Sequence, residues 1–160
     1  MTRLSGSGDD QSRGPGEDPF SFALEIADAV DGLTDLWSSA SQQASLRLSQ
    51  HQLRALQILR SKPKLNLTGL AKSMDIALPA ASRLCDRLAA AGLLERVLHP
   101  HKRREVQLHL TVYGRHLLGE VASHRSRALA EVVVAMDATE LEALRRGLLA
   151  FLAAQNRSTG

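Results

Sequence analysis

Two arginines four residues apart, followed by a run of basic residues, give this chain the means to bind an anion. Arg83 and Arg87 share one face of any helix that contains them. The basic run extends from His99 to Arg104 and precedes an alternating apolar segment. Arginine on a helix can pair with guanine O6 and N7 in the major groove, and basic side chains at a strand tip can contact phosphate or enter the minor groove. These residues predict a polyanionic partner.

The positive charge is concentrated in the middle of the chain. Residues 47–111 contain twelve basic and four acidic residues, a formal charge of +8, whereas the rest of the 160-residue chain carries −5. Only 3% of the residues are aromatic, which disfavours RNA-binding proteins that stack bases on exposed rings. The charge therefore predicts a polyanion such as nucleic acid as the partner of the middle segment, with a solvated basic surface as the alternative.

Other classes of protein find little support in the sequence. The chain has no G-x-S-x-G motif, phosphate-binding loop or metalloprotease motif, so an enzyme is not expected. Its single cysteine, Cys85, cannot form an internal disulfide. No signal peptide and no apolar stretch long enough to span a bilayer is apparent. We expect a cytoplasmic protein without membrane contact.

Capping residues predict where the helices begin. The predicted starts are Asp18 with Pro19, Ser49 with Gln52 as a capping box, Asn66, Pro79, Thr111, and Asp137 with Glu140 as a second capping box. The second helix is expected to end near Ser61, the third near Ser73 before a turn at Asp75, and the fourth at Gly92. Residues 1–17 are rich in glycine and polar residues and are expected to form a disordered tail.

A strand pair is predicted between the fourth and fifth helices. Val106, Leu108 and Leu110 alternate with polar residues, which is the period of a half-buried strand. Two short helices joined by a tight turn are typical of a helix-turn-helix, whose second helix lies in the major groove, and the strand pair adds a wing. The predicted fold class is mainly α with a small β wing, a winged helix-turn-helix with additional N- and C-terminal helices.

The first helix and the last two helices carry apolar stripes that the small winged unit could hardly cover alone. We expect them to pack together and against a second copy, forming a homodimer. Two-fold symmetry would place the recognition helices about 34 Å apart, one turn of DNA. The predicted organisation within one folding unit is a tail (1–17), an N-terminal dimerisation helix (18–46), a winged helix-turn-helix DNA-binding region (47–111) and C-terminal dimerisation helices (112–155).

Individual residues are assigned DNA contacts on this basis. Arg83 is the expected base reader, with phosphate contact as its alternative, while Arg87 either contacts DNA or pairs with a carboxylate such as Asp86 or Glu95. The small side chains at 80–82 can face the groove or can simply favour the helix. The predicted DNA-binding residues are Asn66, Thr68, Ala80, Ala81, Ser82, Arg83, Arg87, Lys102, Arg103 and Arg104.

Three segments resemble the MarR family of bacterial winged helix-turn-helix regulators. They are LNLTGLAKSMDI (65–76), SRLCDRLAAAGLLER (82–96), and a wing ending in RREV (103–106) with LTVYGR (110–115) after it. Together with the flanking helices, the resemblance covers roughly residues 20–155. The chain departs from the family pattern at three places. Lys102 stands where an Asp usually orients the wing arginine, Asp75 replaces a common Gly, and Ala77-Leu78 replaces the usual Ser/Thr cap.

The resemblance implies a dimeric, sequence-specific regulator, most often a repressor, that a small molecule releases from DNA. Relatives bind aromatic acids in a crevice between the dimer helices and the winged unit. The residues of this chain implied for such an effector pocket are Trp37, His51, Arg54 and His116.

Two alternative functions are a zinc-responsive regulator of the same fold and a winged helix that binds protein. Some relatives sense zinc, but no Cys/His cluster or i, i+4 histidine pair favours a metal site in this chain, and no cofactor is predicted. Some winged helices bind protein, and the arginines of the fourth helix argue against that use. Cys85 occupies a position that is usually Val, which implies packing, and the first helix lacks the cysteine of peroxide-sensing relatives.

Overall fold

The computed structural model describes residues 18–99 and 102–158, and gives only the backbone for residues 99, 102–105 and 158. The expected disordered tail, residues 1–17, lies outside the described residues. The chain divides into two compact units, one ending at Thr34 and one beginning at Asp35. The elements are α1 (Pro19–Ser41), α2 (Gln50–Ser61), α3 (Leu67–Met74), α4 (Leu78–Ala90), β1 (Leu94–His99), β2 (Lys102–Leu110), α5 (Val112–Val133) and α6 (Ala138–Ser158). These mainly helical elements with one two-stranded sheet confirm the predicted fold class.

The predicted capping residues begin the helices in the way the sequence indicates. The Ser49 hydroxyl accepts a hydrogen bond from the Gln52 amide, and the Gln52 side chain accepts one from the Ser49 amide, so the capping box of α2 is confirmed. Asp137 and Glu140 make the same reciprocal pair at α6. Each cap satisfies amides that have no partner within the helix.

The core of the second unit is built mainly from leucine. Side chains from α2, α3, α4, the hairpin and α5 are at most 1% exposed: Leu56, Leu70, Leu88, Leu93, Leu108 and Leu117. Burial of each such side chain contributes about 1.5 to 3 kcal/mol. Because these elements share one cluster, the core fixes α4 and the hairpin in position relative to α2 and α5.

The wing is an antiparallel pair whose base is buried and whose outer part is exposed. Leu94 pairs with Leu110 at the base, and His99 pairs with Lys102 at the far end. Leu108 and Leu110 are buried as predicted, but Val106 is 38% exposed because it lies beyond the edge of the core. The sequence did not predict the main-chain contact of residues 65–66 with β2, where the Leu108 amide donates to the Leu65 carbonyl at 2.7 Å.

The first turn of α5 is fastened to the segment between α4 and β1. The Thr111 hydroxyl donates to the Gly92 carbonyl at 2.6 Å and accepts from the Gly114 amide at 2.9 Å. The Thr111 amide donates to the Leu93 carbonyl at 3.2 Å. A β-carbon at position 114 would overlap this same Leu93 carbonyl oxygen, so only glycine permits the approach.

We expect Gly114→Ala to lower the free energy of unfolding by about 2 to 3 kcal/mol, since the added methyl group meets backbone that cannot rotate away. Gly119→Ala on the same helix is the matched control, because a β-carbon there has no neighbour within 4 Å. That control should raise stability by up to about 1 kcal/mol through helix propensity. Denaturant unfolding followed by circular dichroism measures both, and equal stability of the two variants would contradict the close approach.

Candidate nucleic-acid interface

Helix α4 has two faces of opposite character. The inner face is buried in the core and consists of Ala81, Leu84, Cys85 and Leu88. The outer face carries Arg83, Asp86 and Arg87, which are exposed and line one open cavity. The spacing of three and four residues places these charged side chains together on the helix surface. The structure therefore leaves both predicted arginines accessible to a large partner.

The turn before α4 sets its direction relative to α3. Asp75 adopts the left-handed conformation, with φ 54°, and ends α3 as the sequence predicts. Ala77 precedes α4 without a side-chain cap, and Pro79 occupies the first turn, where its missing amide hydrogen costs no hydrogen bond. This geometry is a helix-turn-helix, and the replacement of a common glycine by Asp75 does not prevent it.

One of the predicted DNA contacts is wrong. Ala81 is fully buried because it lies on the same stripe of α4 as Leu84 and Leu88, so its methyl group packs in the core. Ala80 and Ser82 are partly exposed on either side of it. Their DNA contacts stay predictions.

The start of α3 supplies two further predicted contacts. The Asn66 side chain accepts a hydrogen bond from the Gly69 amide at 2.8 Å, which confirms it as the helix cap. Thr68, in the first turn, is exposed. Thr68 is therefore accessible to phosphate, while Asn66 also serves to shape the helix start.

The basic residues of the wing belong to strand β2 rather than to the turn before it. Lys102, Arg103 and Arg104 are the first three residues of β2, and Lys102 pairs with His99. Their side chains, and residues 100 and 101 entirely, lie outside the described residues. Their assignment to DNA contact stays a prediction.

Asp86 pairs with a residue that the sequence did not single out. An Arg96 guanidinium nitrogen lies 2.7 Å from the Asp86 Oδ1 atom, joining β1 to α4. The suggested pairing of Asp86 with Arg87 is not the one observed. Because ten residues separate Asp86 from Arg96 in the sequence, helix periodicity does not predict this pair. The two side chains meet only because the hairpin lies beside α4.

Cys85 lies in the core, in keeping with the packing role that the family pattern implies. Its side chain is fully buried, and burial raises the pKa of the Cys85 thiol above its usual value. A thiol held in its protonated form and shielded from solvent reacts slowly with oxidants. This environment gives no support to a redox role for Cys85.

A second kind of site lies between the end of α1, α2 and α5, where Arg125 is held in place by α1. Its Nε atom donates to the Ser41 hydroxyl at 2.9 Å, and its guanidinium carbon lies 5.0 Å from the centre of the Trp37 ring. Partial burial lowers the pKa of Arg125 from its usual value. No carboxylate among the described residues pairs with Arg125. It is a cation with an aromatic neighbour and open space beside it.

Two cavities adjoin Arg125. The first has a volume of about 320 Å³ and includes Trp37, Leu118, Val121 and Leu129 in its wall. The second, of about 290 Å³, includes His51 and Arg54. Gln57 and Arg125 line both cavities. Three of the four predicted pocket residues thus line the cavities that Arg125 borders. The sequence did not single out Arg125, because an arginine within a long helix has the pattern of an ordinary surface residue.

The fourth predicted pocket residue, His116, lines neither of these cavities. Its Nδ1 atom lies 3.0 Å from Glu120 Oε1, and the other Glu120 oxygen accepts from the Ser45 amide at 2.9 Å. The hydrogen bond from Ser45 lowers the pKa of Glu120 and ties α5 to the loop before α2. Across the described residues, no group of three or more His, Cys, Asp or Glu side chains is arranged to hold a metal ion.

Known proteins are similar to this chain in sequence and in fold. A model of the MarR family matches residues 48–106. The chain is 26% identical over 129 residues to the uncharacterised HTH-type transcriptional regulator YsmB of Bacillus subtilis (strain 168), covering 78% of this chain and 88% of YsmB. It is 30% identical to RV1404 from Mycobacterium tuberculosis, whose crystal structure superposes with a TM-score of 0.79 over 89% of this chain and 98% of that one.

A more distant structure was solved with DNA. FabT of Streptococcus pneumoniae, in complex with DNA, shares 16% identity and a TM-score of 0.68, over 88% of this chain and 99% of FabT. At this identity the likeness shows the fold alone.

The fold is that of a winged helix-turn-helix transcription regulator. The chain belongs to the MarR family, as its sequence motifs predicted. Members of this family are DNA-binding regulators and not enzymes. None of the described helices combines the length and apolar character that crossing a membrane requires.

Proposed function

We propose that this protein is a homodimeric repressor that recognises a pseudo-palindromic operator and leaves it when a small aromatic acid binds. The observation that carries the proposal is the outer face of α4, where Arg83 and Arg87 are exposed opposite a buried apolar face. Such a helix can enter the major groove while its other side remains in the core. Action on DNA in a bacterium also implies a cytoplasmic location.

The two arginines and the wing have different tasks in this proposal. Arg83 lies nearer the start of α4 and reads a base edge, while Arg87 contacts the groove wall or phosphate. Lys102, Arg103 and Arg104 contact the sugar-phosphate backbone or enter the minor groove, where a narrow groove concentrates negative potential. Base contacts give sequence preference, and backbone contacts give affinity and register.

Exposed apolar side chains support the homodimer. In the second unit, α6 exposes Leu144, Leu148, Leu149, Phe151 and Leu152. In the first unit, α1 exposes Phe20, Phe22, Leu24, Ile26 and Val30. Apolar surface of this extent is uncommon on a monomer and typical of an interface. A two-fold axis also matches two copies of α4 to the two halves of an inverted repeat.

The cavities beside Arg125 support an anionic effector with an aromatic ring. Trp37 and the aliphatic wall offer apolar contact, while Arg125, with Arg54 and His51 nearby, offers positive charge for a carboxylate. Cavities of about 300 Å³ are at the lower end of those that bind small organic molecules. Such a ligand shifts the dimer only if it binds one spacing of the two α4 helices more tightly than the other.

Arg83→Ala should remove preference for an inverted repeat from the protein's own promoter over a scrambled duplex, at a cost of about 1 to 3 kcal/mol of discrimination. Arg103→Ala should instead weaken binding to both duplexes and flatten the log-log salt dependence by about 0.9. Fluorescence anisotropy at several salt concentrations measures both effects, with Arg127→Ala on α5 as the matched arginine control. Full preference in Arg83→Ala would contradict the base-reading role.

The double variant Leu144→Glu/Leu148→Glu should sediment as a monomer, because charged side chains would have to be buried in the interface. Val112→Glu changes a more exposed apolar residue outside α6 and should sediment as the unaltered protein does. Sedimentation velocity distinguishes the two states. A dimer that survives the double variant would exclude α6 from the interface.

Benzoate should weaken binding of the unaltered protein to the inverted repeat, whereas benzyl alcohol, which lacks the charge, should not. Arg125→Gln should lose this response because the carboxylate loses its cationic partner. Arg127→Gln removes a charge from the same helix without touching either cavity and should keep the response. If Arg125→Gln responds to benzoate as the unaltered protein does, the effector site lies elsewhere.

A further inference from the structure

The outer face of α4 includes an acidic residue where a DNA-binding helix should be basic. Asp86 lies three residues after Arg83 and directly before Arg87, and these three side chains line one cavity. The Asp86 side chain is 56% exposed. A carboxylate in this position repels phosphate and weakens binding to a polyanion. DNA binding therefore requires that its charge be countered.

Arg96 is placed to counter it. Its guanidinium nitrogen lies 2.7 Å from the Asp86 Oδ1 atom, a short charge-assisted hydrogen bond. Arg96 belongs to β1, where it pairs in register with Leu108, a buried residue. The arginine thus projects from a strand fixed by the core, and the bond joins the wing directly to the recognition helix.

We propose that Arg96 is a positioning residue for DNA binding that acts through Asp86. It neutralises the carboxylate on the outer face of α4, so that this face presents no uncompensated negative charge to DNA. The inference rests on the proposed entry of α4 into the major groove. It adds the ion pair that reduces the repulsion between this face and phosphate.

Folding and DNA binding should respond differently to loss of this pair. Both side chains are partly exposed, at 42% for Arg96 and 56% for Asp86, and exposed ion pairs contribute little to stability. Beside a phosphate backbone, however, the unpaired carboxylate faces many negative charges within a Debye length. Arg96 therefore matters more to the complex than to the free protein.

The rival role for Arg96 is a direct contact with phosphate. Both roles predict weaker DNA binding when Arg96 is replaced, so a single variant cannot separate them. They differ in what happens when Asp86 is neutralised as well. If Arg96 acts through Asp86, removing the carboxylate restores binding, whereas a lost phosphate contact remains lost.

The test compares Arg96→Gln, Asp86→Asn and the double variant on the promoter inverted repeat at several salt concentrations. We expect Arg96→Gln to bind about five- to tenfold more weakly, Asp86→Asn to bind as well as or better than the unaltered protein, and the double variant to fall within about twofold of Asp86→Asn. Arg96→Lys should recover most of the affinity because it restores the charge opposite Asp86. Thermal unfolding of Arg96→Gln should change by only a few degrees.

Several outcomes would overturn the proposal. A double variant as weak as Arg96→Gln, with a log-log salt slope reduced by about 0.9, would make Arg96 a phosphate contact. Weaker binding by Asp86→Asn alone would also overturn it, and this variant gives an answer even if Arg96→Gln does not fold. Lys62→Gln, which removes a basic charge at the end of α2, controls for net charge, and an equal loss there would exclude a specific role for Arg96.

The same experiment separates this inference from the proposed function. Arg83→Ala tests whether α4 reads the operator, and its result does not depend on the Arg96–Asp86 pair. If Arg83→Ala loses sequence preference while the double variant is not restored, the proposed function stands and the positioning role fails. If Arg83→Ala keeps its preference, the entry of α4 into the groove fails, and the role of Arg96 fails with it.

Discussion

The backbone contact between Leu93 and Gly114 is the constraint on which the winged unit depends. Leu93 lies between the end of α4 and the start of β1, and Gly114 lies in the first turn of α5. Because no β-carbon intervenes, the two backbones approach closely enough for Thr111 to bond with both Gly92 and Leu93. Three elements are thereby fixed at one point: the recognition helix, the wing and the helix that follows them.

The leucine core determines which side of α4 faces solvent. Since Leu84 and Leu88 bury one side of α4, the other side must face solvent, and the charges of Arg83 and Arg87 cost little there. The exposed carboxylate of Asp86 is the exception on this basic face, and it has a partner in Arg96. The packing that stabilises the helix thus also leaves its charged side exposed to a partner.

The cavities beside Arg125 lie on the side of α2 where it meets α5 and the end of α1. Trp37 and Ser41 hold Arg125 through a cation–π contact and a hydrogen bond, so the guanidinium is positioned before any ligand arrives. Preorganisation of this kind reduces the entropy lost on binding. Glu120 makes a second tie, from α5 to the loop before α2, so α5 is joined both to the end of α1 and to this loop.

The order of the elements and the faces of the helices follow from local patterns in the sequence. Capping residues such as Ser49, Asn66 and Thr111 act within one helical turn, and the apolar spacing in α4 follows from the helix period, so both can be predicted without knowledge of distant contacts. Packing alone brings Arg96 to Asp86 and places Arg125 beside two cavities. These contacts depend on how the hairpin, the end of α1 and α5 pack around the core, and residues ten to ninety positions apart leave no local periodicity from which such packing can be predicted.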